Sequence, residues 1–298
     1  TITANNLTLS TGGDIIVNGI SDGNTTTIAD TLTLDASGNI SFSTAASTLN
    51  ATLTAAADNG IDINVNVSTT NGDLSFNGNT DAATGGDDTI TLVAGITLDA
   101  SGSLTLAAPG STIAAAGSLN LIADNGITIS DDLTTNGATV VNADNDTNGS
   151  GTLTLGAGAA LLTTNNALTI LADDLVLNTG AGLNTTTANI VITSTDAAGM
   201  GLGNVTNGLS ISDTELGGFT AGNLTLNTTG NVTVNGITSG NSAGIADTLT
   251  IDASGNISFV TAASAFNALD ANADNGISVA TDITTNIGAL SLEGDDDN

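Results

Sequence analysis

Three adjacent aspartate pairs and one Asp-x-Asp-x-Asn-Gly run are the places where this chain has residue types able to do chemistry. The pairs are Asp87–Asp88, Asp131–Asp132 and Asp173–Asp174; the run extends from Asp144 to Gly149. Two carboxylates facing each other across a sugar can hydrolyse a glycosidic bond. Neighbours on a strand point to opposite faces, so each pair is expected to be a turn feature, and no catalytic residue is assigned. The Asp144 run matches the opening of a Ca²⁺ loop, where oxygen ligands at alternate positions precede a Gly at the turn. Asp144, Asp146 and Asn148 are therefore the candidate metal ligands. The place of the loop's final bidentate Glu is taken by Leu155, so the motif is incomplete. Turns rich in Asp and Asn also hydrogen-bond their own backbone, which is the competing reading of the same residues.

The rest of the catalytic repertoire is missing. Lys, Arg, His, Cys, Tyr and Trp are all absent, so no side-chain imidazole, thiol, amine or phenol is available as nucleophile, base or soft ligand. The formal charge is −30 with no compensating cation. Nucleic acid is excluded as a partner, because neutralising phosphates needs Lys or Arg, and anionic lipid is disfavoured. Charge of one sign keeps a surface polymer soluble and unassociated. No organic cofactor is expected; Ca²⁺ is the one cofactor with support in the residues. Without Lys or Arg the chain has no trypsin-type cleavage site, which suits a life outside the cell. No apolar run is long enough to span a bilayer, so no membrane insertion is expected.

The elements that must carry these residues are announced by a repeat. Residues 6–42 return at 223–259, with 26 of 37 positions identical at an offset of 217. After a one-residue deletion AADNGIDI at 56–63 is answered by NADNGISV at 272–279, and GDLSFNG at 72–78 by GALSLEG at 288–294. One super-repeat, 1–217, is followed by a partial second copy, 218–298, within what should be a single continuous domain. The chain starts without an initiator Met or a signal-peptide pattern, and its ends fall inside repeat units. It therefore reads as a piece of a longer protein.

Within the repeat runs a shorter rhythm. Segments such as LTLS, TLTLD, NISF, SLTLA, SLNLI, TLTLG and NVTV alternate aliphatic with polar residues, the period of a strand with one buried face. SGN, DNG and GGD supply turns between them. Sandwiches and barrels draw on aromatic cores and propellers on recurring aromatic signatures, yet this chain holds five Phe and no Trp or Tyr. A parallel β-helix needs only aliphatic stacks and small corner residues. The fold expected is all-β: a β-solenoid with three strands per coil of about 20–24 residues, about 13 coils and a rod about 60–65 Å long. Leu32 and Leu34, like Leu249 and Ile251 in the second copy, should point inward, and Phe42 and Phe259 should each cap a core layer. Thr-x-Thr pairs (31/33, 89/91, 152/154) resemble those of ice-binding solenoids, but they recur irregularly along the sequence. N-x-Ser/Thr sequons, such as those at Asn6, Asn39 and Asn227, are abundant, and with Asn and Thr this frequent chance explains most of them.

Several of these segments carry a resemblance. SGNISF, GSLTLAA, GSLNLIADNGI and GNLTLNTTGNVTVNGI are similar to passenger repeats of filamentous-haemagglutinin-type exoproteins, giant repeat adhesins of bacterial outer surfaces. The block GLGNVTNGLSISDTELGGFTAGNLTL at 201–226 is similar to one found in giant members of that group. The resemblance implies a right-handed β-helix, export through a partner pore or a related route, and a role in adhesion or an extracellular filament. This chain departs from the family in lacking Lys and Arg, which argues against binding of acidic glycans and leaves no Arg-Gly-Asp triplet. The expectation is a structural, non-enzymatic segment of an extracellular or cell-surface fibre, stalk or filament. Its partners would be further repeats of the same chain, end-to-end copies or other cell surfaces. The alternative is an acidic cell-surface lattice or matrix protein held together by Ca²⁺.

Overall fold

The computed structural model describes residues 2–81 and 87–296. Half of the chain is strand and about 4% helix, wound as a parallel β-solenoid of about 12 turns. Side chains explain why. On the first face Leu7, Leu32, Leu53, Leu74, Leu104, Ile127, Leu153 and Leu175 lie in register from one coil to the next. On the second face Ile15, Ile40, Ile61, Ile90, Ile113, Leu133, Leu161 and Leu183 do the same. Stacking like on like buries these aliphatics, apart from Leu7 and Ile15 in the first coil, which are partly buried, while the strands pair in parallel with the neighbouring coil. Each buried Leu or Ile contributes about 1.5–3 kcal/mol relative to exposure.

Three faces bound the core. The first begins as an eight-stranded sheet, Ala4–Thr11 to Asp174–Leu177. A five-stranded sheet beginning at Leu209–Ile211 continues it, joined where Asp174 Oδ1 accepts from the Ser210 N–H at 2.9 Å. The second face is a nine-stranded sheet, Ile15–Val17 to Phe219–Thr220, resumed by Ser264–Phe266 and Ile283–Thr285. The third is an unbroken eleven-stranded sheet from Ser47–Leu49 to Leu290–Glu293.

The inward assignments hold. Leu32, Leu34, Leu249 and Ile251 are buried, and Phe42 and Phe259 are fully enclosed. The turn count is about 12 rather than about 13, because three excursions lengthen their coils. One lies between Asn77 and Ile90, a span that includes residues outside the description. A second is the Asp144 loop. In the third, Met200–Gly203 pairs in parallel with Leu209–Ile211, which slides in as an extra strand of the first face. The one-turn helix Asp213–Leu216 follows, with Ser212 and Glu215 closing a capping box.

Of the Thr pairs, Thr33 and Thr154 belong to a common rank, whereas Thr91 lies on the second face. Thr8, Thr33, Thr54, Ser75, Thr105, Thr128 and Thr154 form one outward rank on the first face. Asp35 and Asp73 stand exposed beside it. In the second copy the corresponding Thr225 and Thr250 lie on the third face, so no flat threonine plane runs the length of the rod.

Candidate cation site

The Asp144 loop begins where the third-face strand Thr139–Asn142 ends. Asp144 turns into the rod and is fully buried, whereas Asp146 and Asn148 are exposed. Its Oδ1 accepts from the Asn148 N–H at 3.1 Å; its Oδ2 accepts from the Gly149 N–H at 3.3 Å and the Thr195 hydroxyl at 2.5 Å. This one carboxylate holds the loop closed while Thr147 and Gly149 take positive φ, 53° and 76°. Asn148 Nδ2 donates to Asp146 Oδ2 at 2.6 Å, and the Ser150 hydroxyl donates to Asn148 Oδ1. The three candidate ligands thus divide: Asp144 serves the backbone inside, while Asp146 and Asn148 face water together.

What the loop covers was not visible in its motif. A Cβ on Gly149 would lie 3.9 Å from both Asp173 Oδ1 and Asp196 Cγ, so these two carboxylates sit directly beneath the turn. Asp173 is held above the ordinary aspartate range, first by burial and then by the carboxylates of Asp196, Asp144 and Asp174. It shares a side-chain hydrogen bond with Asp196. The sequence presents Asp173 only as half of an adjacent pair and gives no local sign of Asp196. The usable signal was coil register: the Thr195 N–H donates to the Ala172 carbonyl oxygen, which puts 173 and 196 on the same corner of successive coils. Among the described residues no three acidic side chains form a group able to hold a metal ion.

In two of the Asp pairs the carboxylates have different partners, and Asp174 opens the strand Asp174–Leu177 instead of lying in a turn. Asp131 accepts from the Ala108 N–H at 2.7 Å and Asp132 from the Ala160 N–H at 2.9 Å, one in the coil before and one in the coil after. Asp174 bonds Ser210, away from Asp173. Asp87 and Asp88 lie in the connection leading to the strand Ile90–Leu92.

Two further carboxyls share the condition of Asp173. Burial and then Asp124 raise Asp99; burial and then Asp296, Asp274 and Asp270 raise Asp252. A carboxyl whose folded pKa lies above its unfolded value of 3.8 gives the folded state extra protons between the two values. That stability is complete below the unfolded value and is lost as pH rises through the folded one. The thermal midpoint should therefore rise as pH is lowered toward the unfolded value of 3.8. Asp173→Asn should raise the midpoint at pH 7 and flatten the slope. Calorimetry across that range checks this, and a midpoint that falls on mild acidification would contradict it.

Comparison with protein-family models, with curated proteins and with solved structures finds no match to the chain.

Proposed function

We propose that this chain is a structural segment of a giant extracellular repeat protein, a stiff stalk or fibre at a cell surface with an adhesive, cell-contact role. One observation carries the reading: a continuous parallel β-solenoid of about 12 turns, with like aliphatics stacked in register from coil to coil in both copies of the repeat. Stacks of coils that contact only their neighbours serve as spacers and extended surfaces, and a coat of carboxylates keeps such a rod from clumping sideways. The resemblance of the repeat segments to filamentous-haemagglutinin-type passengers adds the adhesive role and the export route.

The test is immunogold labelling of intact source cells with an antibody to this chain, paired with loss of the gene. Label along external fibres and weakened attachment are expected; label confined to the cell interior would end the proposal. A second reading, an acidic surface lattice held by Ca²⁺, draws on Asp173 and Asp196 beneath the Asp144 loop. Treatment with EDTA separates the two. Assemblies that dissolve, and re-form with added Ca²⁺, favour the lattice; indifference favours a covalent rod.

A further inference from the structure

Asn-Gly steps recur along the chain, and each places a side-chain amide one residue ahead of a backbone nitrogen that no Cβ shields. When that nitrogen loses its proton it can attack the asparagine Cγ. The new N–C bond closes a five-membered imide, the bond from Cγ to the side-chain nitrogen breaks, and ammonia leaves. Water then opens the imide at either carbonyl. One opening gives aspartate; the other gives isoaspartate, in which the main chain runs through the side-chain carbon. In a folded chain the rate depends on whether the glycine N–H is free and the asparagine side chain can turn toward it.

At several of these steps the rod prevents the attack. The Gly60 N–H donates to the Gly78 carbonyl oxygen at 2.8 Å, Gly78 to Ala107 at 2.9 Å and Gly126 to Ala143 at 2.9 Å, each acceptor lying in the following coil. The Gly72 and Gly149 amides are held by side chains, the Ser101 hydroxyl and the Asp144 carboxylate. At Asn235 the asparagine itself is held, its Oδ1 by the Ala262 N–H and its Nδ2 by the Asn204 carbonyl oxygen. Gly19 and Gly208 lack an acceptor, but Asn18 Oδ1 is held by the Ser43 and Thr44 hydroxyls and Asn207 is half-buried.

Asn136–Gly137 has none of these restraints. Asn136 is exposed, its side chain makes no hydrogen bond among the described residues, and the Gly137 N–H has no acceptor there. The cause is the coil that follows. Leu133 pairs with Leu161 and Thr139 with Leu168, so the following corner is one residue longer than the corner it covers. It passes through Thr164 and Asn165, at φ 47° and 64°, and closes on itself where the Asn166 N–H donates to the Thr163 carbonyl oxygen. None of its carbonyl oxygens accepts from Gly137. The Asn136 corner is otherwise firm: the Thr135 and Thr139 hydroxyls lie 2.7 Å apart and each 3.2 Å from the Gly137 carbonyl oxygen.

We infer that Asn136–Gly137 is a self-modifying site of the folded rod, passing through the imide to isoaspartate and aspartate while the DNG corners at Asn59 and Asn125 stay intact. The isoaspartate form puts one more main-chain atom into a corner whose flanking strands, Leu133–Thr135 and Thr139–Asn142, are paired with the coil before. Conversion therefore loosens this corner, and the damage stays local because coils touch only their neighbours.

The test holds the full chain, folded, in mildly alkaline buffer and follows conversion by mass spectrometry. Trypsin has no site, so a protease that cuts before Asp is used; it isolates Asn136 in 132–143, Asn125 in 124–130 and Asn59 in 58–61. Conversion at Asn136 should be about tenfold or more faster than at Asn59 and Asn125, and the three rates should converge in denaturant. Equal rates in the folded chain, or a gap of the same size in denaturant, overturns the inference. Amide exchange supplies a second measurement. At 133–135 and 139–142 it should speed by about tenfold or more in the converted chain and stay unchanged in freshly prepared Asn136→Asp, which adds the charge without the extra main-chain atom. Unchanged exchange in the converted chain, or equal speeding in both, would also overturn it.

Discussion

Replacing Phe42 with alanine should cost about 3–5 kcal/mol, the usual range for emptying a phenylalanine site in a core that cannot collapse. Collapse is blocked because the side chain is clamped by coils on both sides, Val17 in one and Ile63 in the other. Phe42 also meets Phe76 edge-on, with ring centroids 5.7 Å apart and planes at 83°, an arrangement worth about 0.5–1.5 kcal/mol beyond area alone. That pair fits because Ala55, beside Phe76 in the neighbouring coil, is small. The repeat provides the control. Phe259 is the counterpart of Phe42 and is equally enclosed, but the counterpart of Phe76 is Leu292, so its site lacks the aromatic contact. Phe259→Ala should be the milder change by about the aromatic increment. Denaturant unfolding measures both, with hydrogen exchange to show whether the loss stays near the mutated coil, as expected of a stack in which coils touch only their neighbours. A cost for Phe42→Ala below about 1 kcal/mol would mean that the layer is not packed as described.

Gly60→Ala should also damage the rod severely, for two reasons that add. Gly60 has φ +94°, a region that side-chain-bearing residues occupy at a cost of about 1–3 kcal/mol. A Cβ there would in addition lie 2.0 Å from the Asp87 carbonyl oxygen and 2.8 Å from that of Thr89. Both belong to the backbone leading into the next coil, which cannot move aside without breaking the ladder. A loss of about 3 kcal/mol or more is expected. Gly276, in the same DNG turn of the second copy, has φ +128°, but its nearest neighbour is the Asn256 side-chain oxygen at 3.6 Å. Gly276→Ala should therefore cost only the backbone strain, about 1–3 kcal/mol. Equal costs at the two sites would show that the coil above Gly60 is not where the structure puts it.

The candidate site was only partly legible. The Asp144 run predicted a turn built on a carboxylate, and Asp144 does close that turn, through the amides of Asn148 and Gly149. The run did not reveal that Asp144 would face inward, away from Asp146 and Asn148. Nor did it reveal that the loop would arch over Asp173 and Asp196. Those carboxylates come from coils later in the chain, and no local pattern states which corner they will share. The adjacent pairs Asp131–Asp132 and Asp173–Asp174 were interpretable because the argument against a dyad needed only the alternation of a strand and its turn.

The sequence by itself determined the coil. Alternation along Thr31, Leu32, Thr33 and Leu34 decides which side chains go inside, and Gly in DNG decides where the ribbon bends. Both are short-range preferences that hold whatever lies above or below. The tertiary structure alone decided the relation between coils: the alignment of the Thr8-to-Thr154 rank, the gathering of Asp173 and Asp196, and the turn of one face between copies. These depend on the summed lengths of every connection, including the excursions after Asn77, at Asp144 and at Met200. A difference of a few residues in any of them moves each later strand to another corner without changing its own pattern.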